Sequence, residues 1–347
     1  DLGFLDGRFN LIMDYYIKNT RDLLIDADVS ATSGYTNAMV NIGKLRNEGF
    51  EFTLESMNIR SKDFVWSSNF NIAFNHNEIV SLNSGQDYMQ SFVSWDNQYK
   101  QTPAYISMIG NAAGRMYGFI YDGTYKYDDF NIVIDENGTT TYKLKDGIPY
   151  YTVDQQPGDP KYKDIAGNDG KITDADRTVI GDGQPIFTGG FNNNFTYKNW
   201  DLNIFLQWSY GNDILNANRL EFENAHSKRN KNMFASYTER WTPDNPYSDM
   251  PRAQAKGSEV YSSLYVEDGS YLKLKNISLG YTFPKRLIKP VGISSLRMYL
   301  AAENIATLTS YSGSDPEVST RHSILTPGFD WSAYPRSSRL LCWYSPW

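Results

Sequence analysis

FNNNFTYKNWDLNIFLQW, residues 191–208, decides the fold. Its first half sets Phe191, Phe195 and Tyr197 against Asn192, Asn194 and Thr196. Its second half sets Leu202, Ile204, Leu206 and Trp208 against Asp201, Asn203 and Gln207, with Phe205 out of phase. Side chains alternate between the two faces of a strand, so this period of two predicts two strands joined by the tight turn Tyr197-Lys198-Asn199. One face is rich in amides and the other ends in Tyr or Trp.

The same alternation recurs outward from this hairpin in FNLIMDYYIK (9–18), FEFTLES (50–56), WSSNFNIAF (66–74), LKNISLGYTF (274–283) and LRMYLAAEN (296–304). With RMYGFIYDGTYKY (115–127) the reading is about eight strands and an all-β fold. A soluble sandwich alternates in this way. So does a barrel wall between lipid and a wet lumen, where aromatic girdles mark the two interfaces. Tight turns at Asp6-Gly7 and Ser61-Lys62-Asp63 alternate with long polar connections over 78–110, 128–184 and 210–268. Outer-membrane barrels show this asymmetry, with the long connections outside the cell. Connections beyond about 12–15 residues are expected to carry function.

Composition narrows the classes further. The 347 residues suffice for one large β domain or two ordinary ones. Asp and Glu number 40 against 33 Lys and Arg, for a net charge of -7, and no basic cluster stands out, which argues against a nucleic-acid partner. No apolar run reaches the roughly 18 residues of a transmembrane helix, whereas a transmembrane strand needs only about 9–11. Cys342 stands alone, so no internal disulfide forms. The chain starts at Asp1 without Met, and a missing upstream segment is expected.

Several phrases in this order resemble the SusC-like family of TonB-dependent outer-membrane transporters of Bacteroidetes-type bacteria. They include GFLDGRFNLIMDYYIKNTRDLL (3–24), NIGKLRNEGFEFTL (41–54), RMYGFIYDGTY (115–125), RWTPDNP (240–246), VEDGSYLKLKNISLGYTFP (266–284) and YSGSDPEVS (311–319). The resemblance implies a 22-stranded antiparallel transmembrane β-barrel with an N-terminal plug, located in the bacterial outer membrane. It implies import of oligosaccharides or peptides beneath a SusD-like surface lipoprotein lid, driven by the TonB complex through the plug. Residues 1–336 would then be a C-terminal section of that barrel with long external loops. About 43 residues per strand would put 22 strands at about 950. Such a section alone leaves two unpaired strand edges, and aggregation is expected. The family usually follows YPRS with an amphipathic strand closing in Phe. Here YPRS (334–337) leads into SRLLCWYSPW with Pro346 and Trp347, so 337–347 reads as an aberrant, frameshifted tail.

Two constellations suggest sites. DIAGNDGKITDADR (164–177) resembles a calcium loop but carries one residue too many for the strict EF-hand spacing. A looser structural Ca²⁺ site would use Asp164, Asn168, Asp169, Asp174 and Asp176, and the alternative is a polar Asx/Gly turn. Loop aromatics, Trp95, Tyr99, Tyr121 and Tyr125 foremost, could stack on sugar rings or grip a peptide, and the alternative is that they pack the loops together. No catalytic motif appears, and His76, His226 and His322 show no metal spacing, so an enzyme is not expected. Glu51, Glu55, Asp201 and Glu303 are expected to solvate a channel. The expectation is a fragment of an outer-membrane nutrient importer. The runner-up is a secreted soluble β-rich glycan-binding module with a calcium loop.

Overall fold

Nine strands in chain order form one antiparallel wall in which each pairs with the next. They are β1 (Leu2–Phe4), β2 (Phe9–Arg21), β3 (Lys44–Arg60), β4 (Phe64–Ser81), β5 (Phe187–Tyr197), β6 (Trp200–Tyr210), β7 (Tyr271–Thr282), β8 (Leu296–Thr309) and β9 (Arg339–Pro346). The computed structural model describes all residues except 29–31, 33, 36, 42, 83–84, 225–230, 321–322 and 347. His226, His322 and Trp347 therefore lie outside the described residues.

The pairing register turns the alternating sequence into two continuous surfaces. Leu11, Leu54, Phe70, Phe191, Leu206, Leu274 and Ala306 are successive partners across seven strands. One position along, the row reads Asn10, Glu55, Asn69, Asn192, Phe205, Asn276, Glu303 and Arg339. Because the strand period is two, a one-residue slip would exchange the faces, so this pattern fixes the register. Among the described residues nothing covers the apolar face: Met13, Tyr15, Phe50, Leu279 and Leu300 are 40–54% exposed. A soluble sandwich buries such a surface under a second sheet, whereas here, among the described residues, it stays open. Phe205 departs from the pattern because its ring lies across Gly190 on the polar face, where a Cβ would come within 2.9 Å of it. An aromatic ring shielding a strand glycine stabilises the pair.

The short turns fall as expected. Lys198 takes φ 53° between β5 and β6, and the Ser61 amide donates to the Phe64 carbonyl at 2.8 Å between β3 and β4. One reading is corrected. RMYGFIYDGTYKY is not a wall strand: it forms two short strands, Arg115–Gly118 and Tyr121–Thr124, inside the β4–β5 connection. Met116, Phe119 and Tyr125 are buried and Tyr117, Ile120, Tyr121 and Tyr127 half-buried, so it alternates without forming one apolar and one polar face. The eighth and ninth wall strands are instead β1 and β9. Residues 339–346 pair with β8, placing Leu340, Cys342 and Tyr344 in the apolar phase and Leu341 and Trp343 in the polar one.

At the end opposite the tight turns, three connections fold into one layer. Val93, Tyr99, Ala104, Tyr105 and Met116 come from the β4–β5 connection. Leu215, Ala217, Leu220, Tyr261 and Tyr265 come from β6–β7, and Phe329 from β8–β9; all share one core. The larger apolar ones among these, Val93, Met116, Leu215, Leu220 and Phe329, each contribute about 1.5–3 kcal/mol by leaving water. The Asp159 carboxylate, fully buried, meets Arg252 Nε at 2.7 Å and ties the first connection to the second. Beside it Gly158, at φ 85°, lies against the Trp241 ring, where a Cβ would come within 2.4 Å. These loops are therefore a packed layer with fixed geometry.

Candidate functional site

The loop layer holds a cavity of about 760 Å³. Asn216, Asn218, Arg219, Phe222, Phe234 and Ser236 are among its lining residues. Asn216 caps the short helix Ala217–Phe222 by accepting from the Arg219 amide at 3.2 Å, and this cap aims the following side chains. The Phe222 ring stands 5.2 Å from Phe234 and 6.0 Å from Trp331. Arg219 is fixed by Glu223 at 2.8 Å and Glu267 at 3.4 Å. An aromatic wall beside amides and hydroxyls suits a ligand with apolar faces and a hydrogen-bonding rim, as oligosaccharides and peptides have.

Beside the layer, on the polar face of β7, sits a cluster of charges. Lys273 Nζ is 3.1 Å from Asp315 and 2.6 Å from Glu317, and Lys275 is 3.0 Å from Glu317. Arg336 approaches Glu317 at 3.5 Å. Burial raises the Asp315 and Glu317 carboxyls, but backbone N–H groups at Asp315 and the lysines at both outweigh it, leaving both below the usual carboxylate range. The cluster pins the β8–β9 connection to the inner wall. In the sequence, LKLKN and YSGSDPEVS carry only the family resemblance. The signal was two lysines in one strand phase and an acidic pair elsewhere, whose meeting only the fold reveals.

The sequence-predicted aromatics lie in two groups. Trp95 and Tyr99 stack at 4.8 Å, and Trp95 Nε1 donates to the Tyr261 hydroxyl at 2.7 Å. Tyr121 donates to the Asp249 carbonyl, and Tyr125 to the Pro149 carbonyl at 2.5 Å. Tyr99 and Tyr125 are fully buried, which pushes both hydroxyls far up and keeps them neutral. Trp95 and Tyr121 are half-buried.

The residues 164–176 form a turn held by their own backbone. The Asp176 carboxylate accepts from the amides of Ile165 and Ala166 at 2.9 Å and of Thr173 at 2.7 Å. Burial works against its ionised form, yet these donors together hold its carboxyl below the usual range. Asp164 accepts from the Gly170 amide at 2.7 Å, Asp169 from Lys171 at 2.9 Å, and Asp174 from Arg177 Nε at 2.8 Å. Asn168 takes φ 51°. Ile172 anchors the turn against Phe119, Tyr162 and Val260. Among the described residues no three His, Cys, Asp or Glu side chains gather as a metal site.

No family model matches the chain. It is 37% identical over 340 residues to a TonB-dependent receptor of Formosa agariphila, covering 96% of this chain and 32% of that protein. It is 28% identical over 353 residues to the TonB-dependent receptor SusC of Bacteroides thetaiotaomicron, covering 98% of this chain and 30% of that one. Over nearly its whole length the chain is similar to SusC-like TonB-dependent receptors.

It spans about a third of the length of these relatives. Among solved structures, the RagAB peptide transporter matches with TM-score 0.69 at 23% identity, over 99% of this chain and 34% of that one. Its "open-open" state matches with TM-score 0.71 at 22% identity, over 99% and 33%. The nine-stranded wall is thus a section of an antiparallel transmembrane barrel, as in other SusC-like proteins. The family is one of receptors and transporters, not of enzymes.

Proposed function

We propose that this chain forms part of the wall and external loop layer of an outer-membrane transporter that imports oligosaccharides or peptides. The two-faced wall carries the reading: a sheet with one exposed apolar face needs lipid, and its amide-rich face suits a wet path. The cavity beside Phe222 and Phe234 takes part of the substrate. Trp95 and Tyr121 are the two predicted aromatics with surface left for a ligand, while Tyr99 and Tyr125 hold the loops in place. A SusD-like lipoprotein closes over the layer, and the TonB complex drives release through a plug. Relatives named TonB-dependent receptors and the RagAB peptide transporter support this reading. The segment past Ser337 keeps its reading as an aberrant tail, supported by Leu341 and Trp343 in the polar phase, and the gene's other two frames test it.

The test uses the full-length transporter carrying this chain, with oligosaccharide and peptide mixtures supplied at limiting concentration. Phe222→Ala with Phe234→Ala should raise the concentration needed for half-maximal uptake about ten-fold while leaving the amount in the outer membrane unchanged. Equal uptake curves would remove the cavity from the substrate path. Recovery of the protein without detergent would overturn the membrane reading.

A further inference from the structure

We propose that the outward face of the wall carries a binding site for a phosphate-bearing membrane lipid at its external end. A groove of about 600 Å³ opens there. Its floor is Tyr15, Phe50 and Phe74, successive register partners on β2, β3 and β4, and Ile186 also lines it. The Tyr15 and Phe50 rings lie 4.6 Å apart. Its rim is polar, with the register partners Glu48 and His76, and Arg115 and Asp182 from the loop layer. All the strand side chains named share the phase of Leu11, Leu54 and Phe70, so the groove opens on the surface that the membrane reading assigns to lipid.

Arg115 supplies the headgroup chemistry. Its Nη1 donates to Asn111 at 2.9 Å. Its Nε is enclosed, donates no hydrogen bond and lies 3.6 Å from the Asp182 carboxylate. A guanidinium carries five N–H donors in a fixed fork that matches phosphate oxygens. Among the described residues only Nη1 of its two terminal nitrogens donates a hydrogen bond, to Asn111, while the enclosed Nε faces Asp182. Donors above an aromatic floor repeat the order of a lipid, with its phosphate above its chains. The floor continues into the lipid-facing surface, which favours a lipid over a soluble anion. The groove also lies at the foot of the longest connection. There residues 110–113 take the place of β5 beside β4: the Gly110 amide donates to the Ile79 carbonyl and the Ile79 amide to the Asn111 carbonyl, both at 2.9 Å. A bound lipid would brace that foot.

The inference rests on the membrane reading, and the experiment separates the two. The full-length transporter carrying this chain is extracted in mild detergent, washed, and titrated with short-chain phosphatidylglycerol and separately with inorganic phosphate, with bound ligand read by native mass spectrometry. Saturable lipid binding is expected, about ten-fold weaker in Arg115→Gln and in Tyr15→Ser, and unchanged in Leu300→Ala on the same face. Tyr15→Ser reads the site should Arg115→Gln fail to fold. Equal lipid binding by all the folded variants overturns the site, as does inorganic phosphate binding as tightly as the lipid. Extraction without detergent overturns the membrane reading and this inference together. A detergent-dependent protein without Arg115-dependent lipid overturns this inference alone.

Discussion

Replacing Lys273 by Met should release the β8–β9 connection from the wall. The side chain is 3% exposed and holds Asp315 and Glu317 at 3.1 and 2.6 Å. Removing one partner of a buried ion pair costs about 3–5 kcal/mol, because the remaining charges stay desolvated. Asp315 keeps the amides of Glu317 and Arg336 at 3.0 and 3.1 Å, and Glu317 keeps Lys275. The lower end, about 3 kcal/mol, is therefore expected, or roughly 150-fold in the opening equilibrium of the connection. Amide hydrogen exchange over residues 311–319 in the full-length transporter reads it directly. Acid should act in the same direction. Both carboxyls are depressed in the fold, so their contribution is present above their unfolded values of about 4 and is lost as pH falls through the folded ones. In Lys273→Met the loosening should begin at higher pH. An exchange rate within about three-fold of the unaltered protein would refute the argument that this cluster holds the connection.

Asp176→Ala strips the acceptor from three loop amides and should cost about 3 kcal/mol, seen as faster protease cleavage within 164–177. Chelating calcium should leave that cleavage rate unchanged in the unaltered protein. Arg252→Ala leaves Asp159 buried without its ion partner and should lower stability by about 3–5 kcal/mol, measured as a drop in Tm of the full-length transporter. Leu206→Arg, in the apolar phase, should cost about 2–4 kcal/mol near the bilayer midplane. Gln207→Arg, one residue along, should cost little, and the fraction of heat-modifiable barrel compares the two.

Alternation alone placed seven of the wall strands and their tight turns, because each presents an apolar face and a polar one. That constraint is written residue by residue, and even Phe205 was marked as an exception whose reason, Gly190, stood on the neighbouring strand. The same rule failed for residues 115–127, which alternate but lie among the loops as two short strands. Residues 339–346 pair with β8 although they alternate poorly, since pairing is satisfied by backbone groups that any side-chain pattern supplies.

The sequence by itself determined the two-faced wall, its family and the division into short turns and long connections. Tertiary structure decided what the connections do. Tyr99 is core because Tyr261 of the next connection packs against it, Tyr125 is buried by its own connection, and Asp164, Asp169 and Asp176 accept from amides of their own turn. Lys273 and Glu317, 44 residues apart, became partners because the fold lays the last connection against the inner wall. Strand faces follow from a local period, whereas loop sites depend on contacts between segments far apart in the chain, and no short-range pattern encodes those.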